Sequence, residues 1–139
     1  MKAIQVATVG GPEVLTLVVL PVPDPKPNEV LVQIKAAGVN FIDVYHRTGL
    51  YQQPMPFTPG VEGAGIVETV GEDIAHVAPG DRVAYAGPIG GYAEQRLIDA
   101  DRLVKLPDSI TTDQAAGMML QGMTAQMLLR SVKKGLTRT

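Results

Sequence analysis

The chain has no cysteine and no tryptophan, and only two phenylalanines and four tyrosines among its 139 residues. Without cysteine there is no disulfide, no thiol nucleophile and no thiolate metal site. Charge is scarce as well: charged residues make up 19% and the formal net charge is -2. No cluster of Lys or Arg exceeds a pair. The basic stripe that displaces counterions from phosphates is therefore missing, and nucleic acid is excluded as the expected partner. No apolar run approaches the ~20 residues of a membrane helix, and the N-terminus MKAIQVATVGG lacks the apolar core of a secretion signal. A soluble cytoplasmic protein is expected.

Glycine and proline are abundant, at 15 and 11 residues. They separate short Val-, Ile- and Leu-rich runs, which is how a sheet protein with many turns reads. Lys2 to Val9 reads as a strand ending at Gly10-Gly11-Pro12, and Val14 to Leu20 is a second apolar run. The segment from Pro21 to Pro27 holds four prolines, each without an amide donor, and reads as an extended connection. Asn28 to Ala37 is the clearest strand, with Val30, Val32 and Ile34 on one face. Asn40 to Arg47 reads as a short helix capped by Asn40, and Gly49 to Pro59 as an irregular loop. Further strands are expected in Gly60–Val70, Asp81–Ala86, Tyr92–Ile98 and Arg102–Leu106.

The pattern changes after Pro107. Thr111 and Gln114 have capping-box spacing, and the apolar residues from Ala115 to Leu120 suggest a buried first stretch of helix. Gly117 and Gly122 each cost about 1 kcal/mol in a helix interior, so two helices meeting near Gln121-Gly122 are expected, the second running from Met123 to Val132. Met118, Met119, Met123 and Met127 follow helical spacing and read as core filler. His46 and His76 read as surface or helix-end residues. The fold class expected is mainly β with helical additions, a partly open β-barrel.

Several stretches, taken in order, carry a resemblance: Gly10-Gly11-Pro12-Glu13-Val14-Leu15, Ala37-Gly38-Val39-Asn40-Phe41-Ile42-Asp43 and Pro59-Gly60-Val61-Glu62-Gly63-Ala64-Gly65. They are supported by Arg47-Thr48-Gly49-Leu50-Tyr51, Pro79-Gly80-Asp81-Arg82-Val83 and Leu120-Gln121-Gly122-Met123-Thr124-Ala125. Together these resemble the quinone oxidoreductase and zeta-crystallin branch of the medium-chain dehydrogenases. The resemblance implies a GroES-like catalytic domain over residues 1–132, followed by the first residues, 133–139, of a nucleotide-binding Rossmann domain that is otherwise absent from the chain. It implies NADPH as cofactor, bound between the two domains, and a small flat electrophile such as a quinone as substrate. Zinc-dependent relatives place a cysteine and a histidine where Asn40 and Val61 stand here, so no metal is expected.

The same resemblance puts Asn40, Tyr45 and Tyr51 on the substrate side of the cleft, and Asn40, Gln121 and Thr124 against the nicotinamide. Each residue also has a plainer reading. Asn40 suits a helix cap, the tyrosines suit half-buried packing, and Gln121 with Thr124 suits polar capping at a helix junction. Asp43 is expected to make a structural bond, with Arg47 one turn on as the candidate partner. Glu62 is expected to be buried in a structural ion pair. Gly60, Gly63 and Gly65 imitate a phosphate loop but open a strand instead of a helix, so close backbone approach is the better reading. A homo-oligomer is expected from the apolar helices. Two other readings stand beside the reductase: a GroES-like binding or oligomerisation module without turnover, and a zinc alcohol dehydrogenase remnant, which the missing ligands oppose.

Overall fold

A computed structural model describes residues 1–132. Among the described residues seven strands form two sheets. β1 (Lys2–Gln5) and β2 (Thr16–Val19) pair antiparallel as a small sheet. The main sheet has the order β6-β3-β4-β5-β7. It is built from β3 (Glu29–Gly38), β4 (Glu62–Val70), β5 (Arg82–Ala86), β6 (Gln95–Asp99) and β7 (Val104–Lys105), and every pairing is antiparallel. The expected mainly β class holds, with a sheet that stays open: β6 and β7 are its two edges. β1 is joined to the segment before β6 by Ile4 N–H to the Tyr92 carbonyl (2.8 Å) and Glu94 N–H to the Lys2 carbonyl (2.9 Å).

The alternation read in β3 sets the core. Val30 and Val32 are fully buried and meet Val67, Val83, Tyr85 and Ile98 from the neighbouring strands, with Ile34 packed at the margin. Burial of side chains of this size is worth about 1.5–3 kcal/mol each, which holds the register. β3 and β4 are irregular at Leu31/Val32 and Ile34/Ala36. Gly65 sits in that stretch, and a Cβ there would run into the Gln33 backbone carbonyl. Gly63 and Gly65 thus serve strand packing, as the strand context implied, while Gly60 takes a positive φ (97°) against Tyr92 ahead of β4.

Among the described residues there are two α-helices, of which the second packs on the main sheet. α1 (Phe41–Thr48) follows β3 directly, and α2 (Thr112–Gln126) follows β7. Thr111 and Gln114 form the expected capping box: Gln114 N–H donates to Thr111 Oγ1 (3.1 Å) and Thr111 N–H to Gln114 Oε1 (3.0 Å). The expected break near Gln121-Gly122 is absent. α2 runs through Gly122, and the geometry changes to a π-helical turn only at Met127–Val132. One exposed glycine weakens a helix by about 1 kcal/mol, which does not end a helix already nucleated and packed at its start.

The methionines also depart from expectation. Ala115 and Ala116 are buried against Ala64 and Ala84, with Met119 at the margin of that cluster. Met118, Met123 and Met127 are about half exposed (47%, 53% and 52%). α2 rests on the sheet only through its first turns, so helical spacing alone does not place the later residues in a core. No helix among the described residues is long and apolar enough to cross a membrane. Residues 133–139, expected to open a further domain, lie outside the described residues.

Candidate active site

The sequence turns from strand to helix at Asn40, whose extended backbone (φ -128, ψ 154) makes it the N-cap of α1. Asn40 and Asp43 stand as a capping box. The Asp43 carboxylate accepts from Asn40 N–H at 2.9 Å. The Asn40 side-chain oxygen faces the Asp43 N–H, whose well-formed bond goes to the Asn40 carbonyl at 3.0 Å. The Asn40 amide nitrogen donates to Glu62 Oε2 at 2.8 Å. Capping and a second, specific contact are both present on one residue.

Glu62, 1% exposed, takes its other donor from α2: Leu120 N–H to Oε1 at 2.9 Å. The expected ion pair is therefore not formed. Two neutral N–H donors hold the carboxylate, one on each oxygen, and charge-assisted bonds of this kind are worth about 1.5–3 kcal/mol each. Gly38, at the end of β3, makes room for the arrangement, because a Cβ there would strike both the Ala116 carbonyl and the Glu62 carboxylate.

Asp43 does not pair with Arg47 either. Its Oδ2 accepts from the Tyr92 hydroxyl at 2.6 Å, while Arg47 Nε donates to the Gly10 carbonyl at 3.3 Å. Asp43 is buried, and a tyrosine from across the fold reaches it where the exposed route to Arg47 does not. Asn40, Asp43 and Tyr92 line a cavity of about 250 Å³ with Val39, Val44 and Leu15 among its apolar walls.

Tyr92 was not singled out by its sequence context. Burial first, then its hydrogen bond to Asp43 and the charge of that carboxylate, push its phenol well above the ordinary tyrosine value. Burial raises Tyr85 too, against the opposing Arg96 guanidinium 4.7 Å from its ring centre. A tyrosine whose folded pKa is raised stays protonated after the unfolded chain has ionised, so its stabilisation is complete below about pH 10 and is lost as pH climbs beyond. Melting curves taken between about pH 9 and 11 are expected to show a steeper loss of stability in the native chain than in Tyr92→Phe. Parallel slopes would contradict the assignment.

Tyr45 and Tyr51 are brought together. Their ring centres lie 5.3 Å apart at 66°, edge to face, and Phe41 packs edge-on to Tyr45 at 5.6 Å. Tyr51 N–H donates to the Tyr45 carbonyl at 3.1 Å, which fixes the loop after α1 against the helix. Phe41 and Tyr51 remain 75% and 50% exposed. His46, read as a surface or helix-end residue, lies in the last turn of α1 but is buried, with Nδ1 lacking a partner. It lies on the inward side of α1, next to the Tyr51 ring at 6.3 Å.

Gln121 and Thr124 are exposed on α2 beyond Leu120. Thr124 Oγ1 donates to the Leu120 carbonyl at 2.8 Å, so its hydroxyl oxygen retains only acceptor capacity. Glu62 thus links the Asn40 end of α1 to the turn that carries Gln121 and Thr124. No hydrogen bond among the described residues joins Asn40 to the side chains of Tyr45, on the same helix, or Tyr51, on the loop after it; the two tyrosines form their own cluster. Among the described residues no three His, Asp or Glu side chains converge as a metal site. Asn40, whose amide nitrogen donates to Glu62, and the buried aliphatic Val61 offer neither thiolate nor imidazole.

Comparison with known proteins gives a consistent picture. The alcohol dehydrogenase GroES-like domain family matches residues 26–108. A quinone oxidoreductase of Pseudomonas aeruginosa is 50% identical over 131 residues, covering 93% of this chain and 40% of the relative. Quinone oxidoreductase 1 of Escherichia coli is 47% identical over 123 residues, covering 87% of this chain and 38% of the relative. The crystal structure of the Escherichia coli quinone oxidoreductase complexed with NADPH superposes with a TM-score of 0.93 at 44% identity, over 95% of this chain and 41% of that one. A quinone oxidoreductase from Pseudomonas syringae pv. tomato gives 0.92 at 50% identity, over 94% and 41%. The chain spans about 40% of the length of the curated relatives it matches.

Proposed function

The chain belongs to the alcohol dehydrogenase GroES-like domain family, in the quinone oxidoreductase branch of enzymes, and from that premise we propose that it forms the substrate-side wall of a metal-free, NADPH-dependent reductase of quinones or conjugated carbonyls. The observation that carries the proposal is the Tyr45–Tyr51 pair, one ring on the short helix capped by a tethered Asn40 and the other on the loop that follows it. A flat electrophile offers two recognition features, a π face and carbonyl oxygens. Tyrosine rings meet the first and phenol or amide hydrogens the second.

Bound reduced nicotinamide supplies the hydride. The work left to the chain is to align acceptor and donor and to exclude water. Tyr45 and Tyr51 hold the acceptor ring, Asn40 fixes an oxygen beside it, and Gln121 with Thr124 faces the nicotinamide. We place residues 1–132 in this catalytic domain and 133–139 at the entry to a nucleotide-binding domain. A cytoplasmic location accords with the cysteine-free composition, and self-association accords with the exposed Leu128, Leu129 and Val132.

Saturation-transfer NMR with duroquinone tests the substrate wall. The duroquinone methyl signal is expected to receive saturation from the native chain. The response should drop about tenfold in the Tyr45→Ala/Tyr51→Ala variant, since two aromatic contacts of about 0.5–1.5 kcal/mol each are lost. Equal transfer in the two proteins would overturn the assignment.

A further inference from the structure

We infer that Glu62 is a positioning residue. By dividing its buried carboxylate between Asn40 and helix α2, it fixes the Asn40 carboxamide so that one Nδ2 hydrogen is left as a donor to a carbonyl oxygen. The inference rests on Asn40 belonging to the substrate-side wall, and it narrows what that residue recognises.

The argument is one of donors and acceptors. Each Glu62 oxygen takes one donor, Oε1 from Leu120 N–H at 2.9 Å and Oε2 from Asn40 Nδ2 at 2.8 Å. An ionised carboxylate only accepts, so only the nitrogen of the amide can face it. Turning the Asn40 amide over would set its oxygen against Glu62 Oε2, two acceptors in contact in a site screened from water. The orientation of an asparagine, normally ambiguous, is here decided by its partner. The Asn40 oxygen is directed to the first turn of α1, where it faces the Asp43 N–H.

Three of the four hydrogen-bonding positions of a primary amide are the two N–H groups and one oxygen lone pair. Glu62 uses one N–H, which leaves the second N–H free and the oxygen turned toward the first turn of α1. Asn40 is only partly buried, so that hydrogen is reachable by a ligand. That second N–H is a donor oriented by the Glu62 bond, and its match on a ligand is an acceptor. A quinone oxygen and the carboxamide oxygen of nicotinamide share that chemistry. Because Glu62 also grips the backbone of Leu120, one carboxylate sets the separation between Asn40 and the turn bearing Gln121 and Thr124.

Side-chain amide NMR of the isotope-labelled chain reads this directly. In the native chain one Asn40 side-chain hydrogen is expected downfield, with solvent exchange slowed about tenfold relative to the other, as one carboxylate bond of about 1.5 kcal/mol implies. Glu62→Met keeps the length of the side chain but offers no comparable acceptor, and it should equalise the two rates. Nicotinamide and duroquinone, added in separate titrations, are the two candidate acceptors. At least one should shift the unprotected hydrogen in the native chain, and the shift should fall about tenfold in Glu62→Met.

Free exchange of both hydrogens in the native chain would overturn the positioning role, even if the variant fails to fold. A protected hydrogen whose neighbour responds to neither compound would overturn the donor assignment. Tyr45 and Tyr51 resonances separate this failure from a broader one. If they respond to duroquinone while Asn40 does not, the substrate wall stands and the role of Glu62 falls. If none responds, the wall falls as well.

Discussion

Gly38→Ala is expected to lower the stability of the chain by about 3 kcal/mol, at the upper end of what one added methyl does in a tightly packed place. Gly38 closes β3 directly under α2. A Cβ at this position would sit 2.8 Å from the Glu62 carboxylate carbon and closer still to the Ala116 backbone carbonyl. The carbonyl belongs to a helix and cannot swing aside, so α2 must lift. Lifting it opens the Ala64, Ala84, Ala115 and Ala116 cluster and draws the Leu120 N–H away from Glu62. Gly117 on the same helix supplies the contrast, because an added Cβ there meets nothing. Gly117→Ala should stabilise by up to about 1 kcal/mol through helix propensity alone. Urea denaturation of the two variants beside the native chain measures both effects. A neutral Gly38→Ala would show that α2 is not seated on β3 as described.

The 139-residue chain, mixed with NADPH and a quinone, is expected to give no protein-proportional loss of nicotinamide absorbance. The reason is electrostatic and local. Tight dinucleotide binding uses free backbone N–H groups at a helix N-terminus to hold the pyrophosphate. Both α-helices among the described residues satisfy their own N-termini, α1 through Asn40 and Asp43 and α2 through Thr111 and Gln114. The glycine-rich stretch Gly60–Gly65 leads into strand β4 and packs against β3. On the proposed assignment, what remains for the cofactor is the nicotinamide end, through Asn40, Gln121 and Thr124. Contacts of that extent support a dissociation constant no better than about 1 mM, or about 4 kcal/mol. Steady oxidation that scales with the amount of chain would contradict this and would mean that it holds the whole cofactor.

Much of the frame was legible in the sequence because it is local. The Val30, Val32, Ile34 alternation, the Asn40 cap and the Thr111–Gln114 box are each decided within a few residues, where backbone geometry dictates what a side chain can reach. The site was legible only as a set of names. Glu62 bonds residues 22 and 58 positions away, and Tyr92 meets Asp43 across 49. Those partners depend on sheet register and on where α2 comes to rest, which no local pattern encodes. The same cause explains the misplaced ion pairs. Opposite charges at helical spacing suggested Asp43 with Arg47, but burial made a neutral phenol the better partner. Helical spacing likewise put the methionines in a core, although α2 extends past the sheet it lies on.

The central proposal is that one wall, made by α1 and the middle of α2, faces the reacting end of the cofactor. Intermolecular NOEs between the nicotinamide ring hydrogens of NADPH and the labelled chain, collected at millimolar cofactor, test it most directly. The account predicts contacts to Asn40, Tyr51 and Thr124 and none to β1 or β2. Contacts confined to β1 and β2, or to any surface that excludes Asn40, would contradict it.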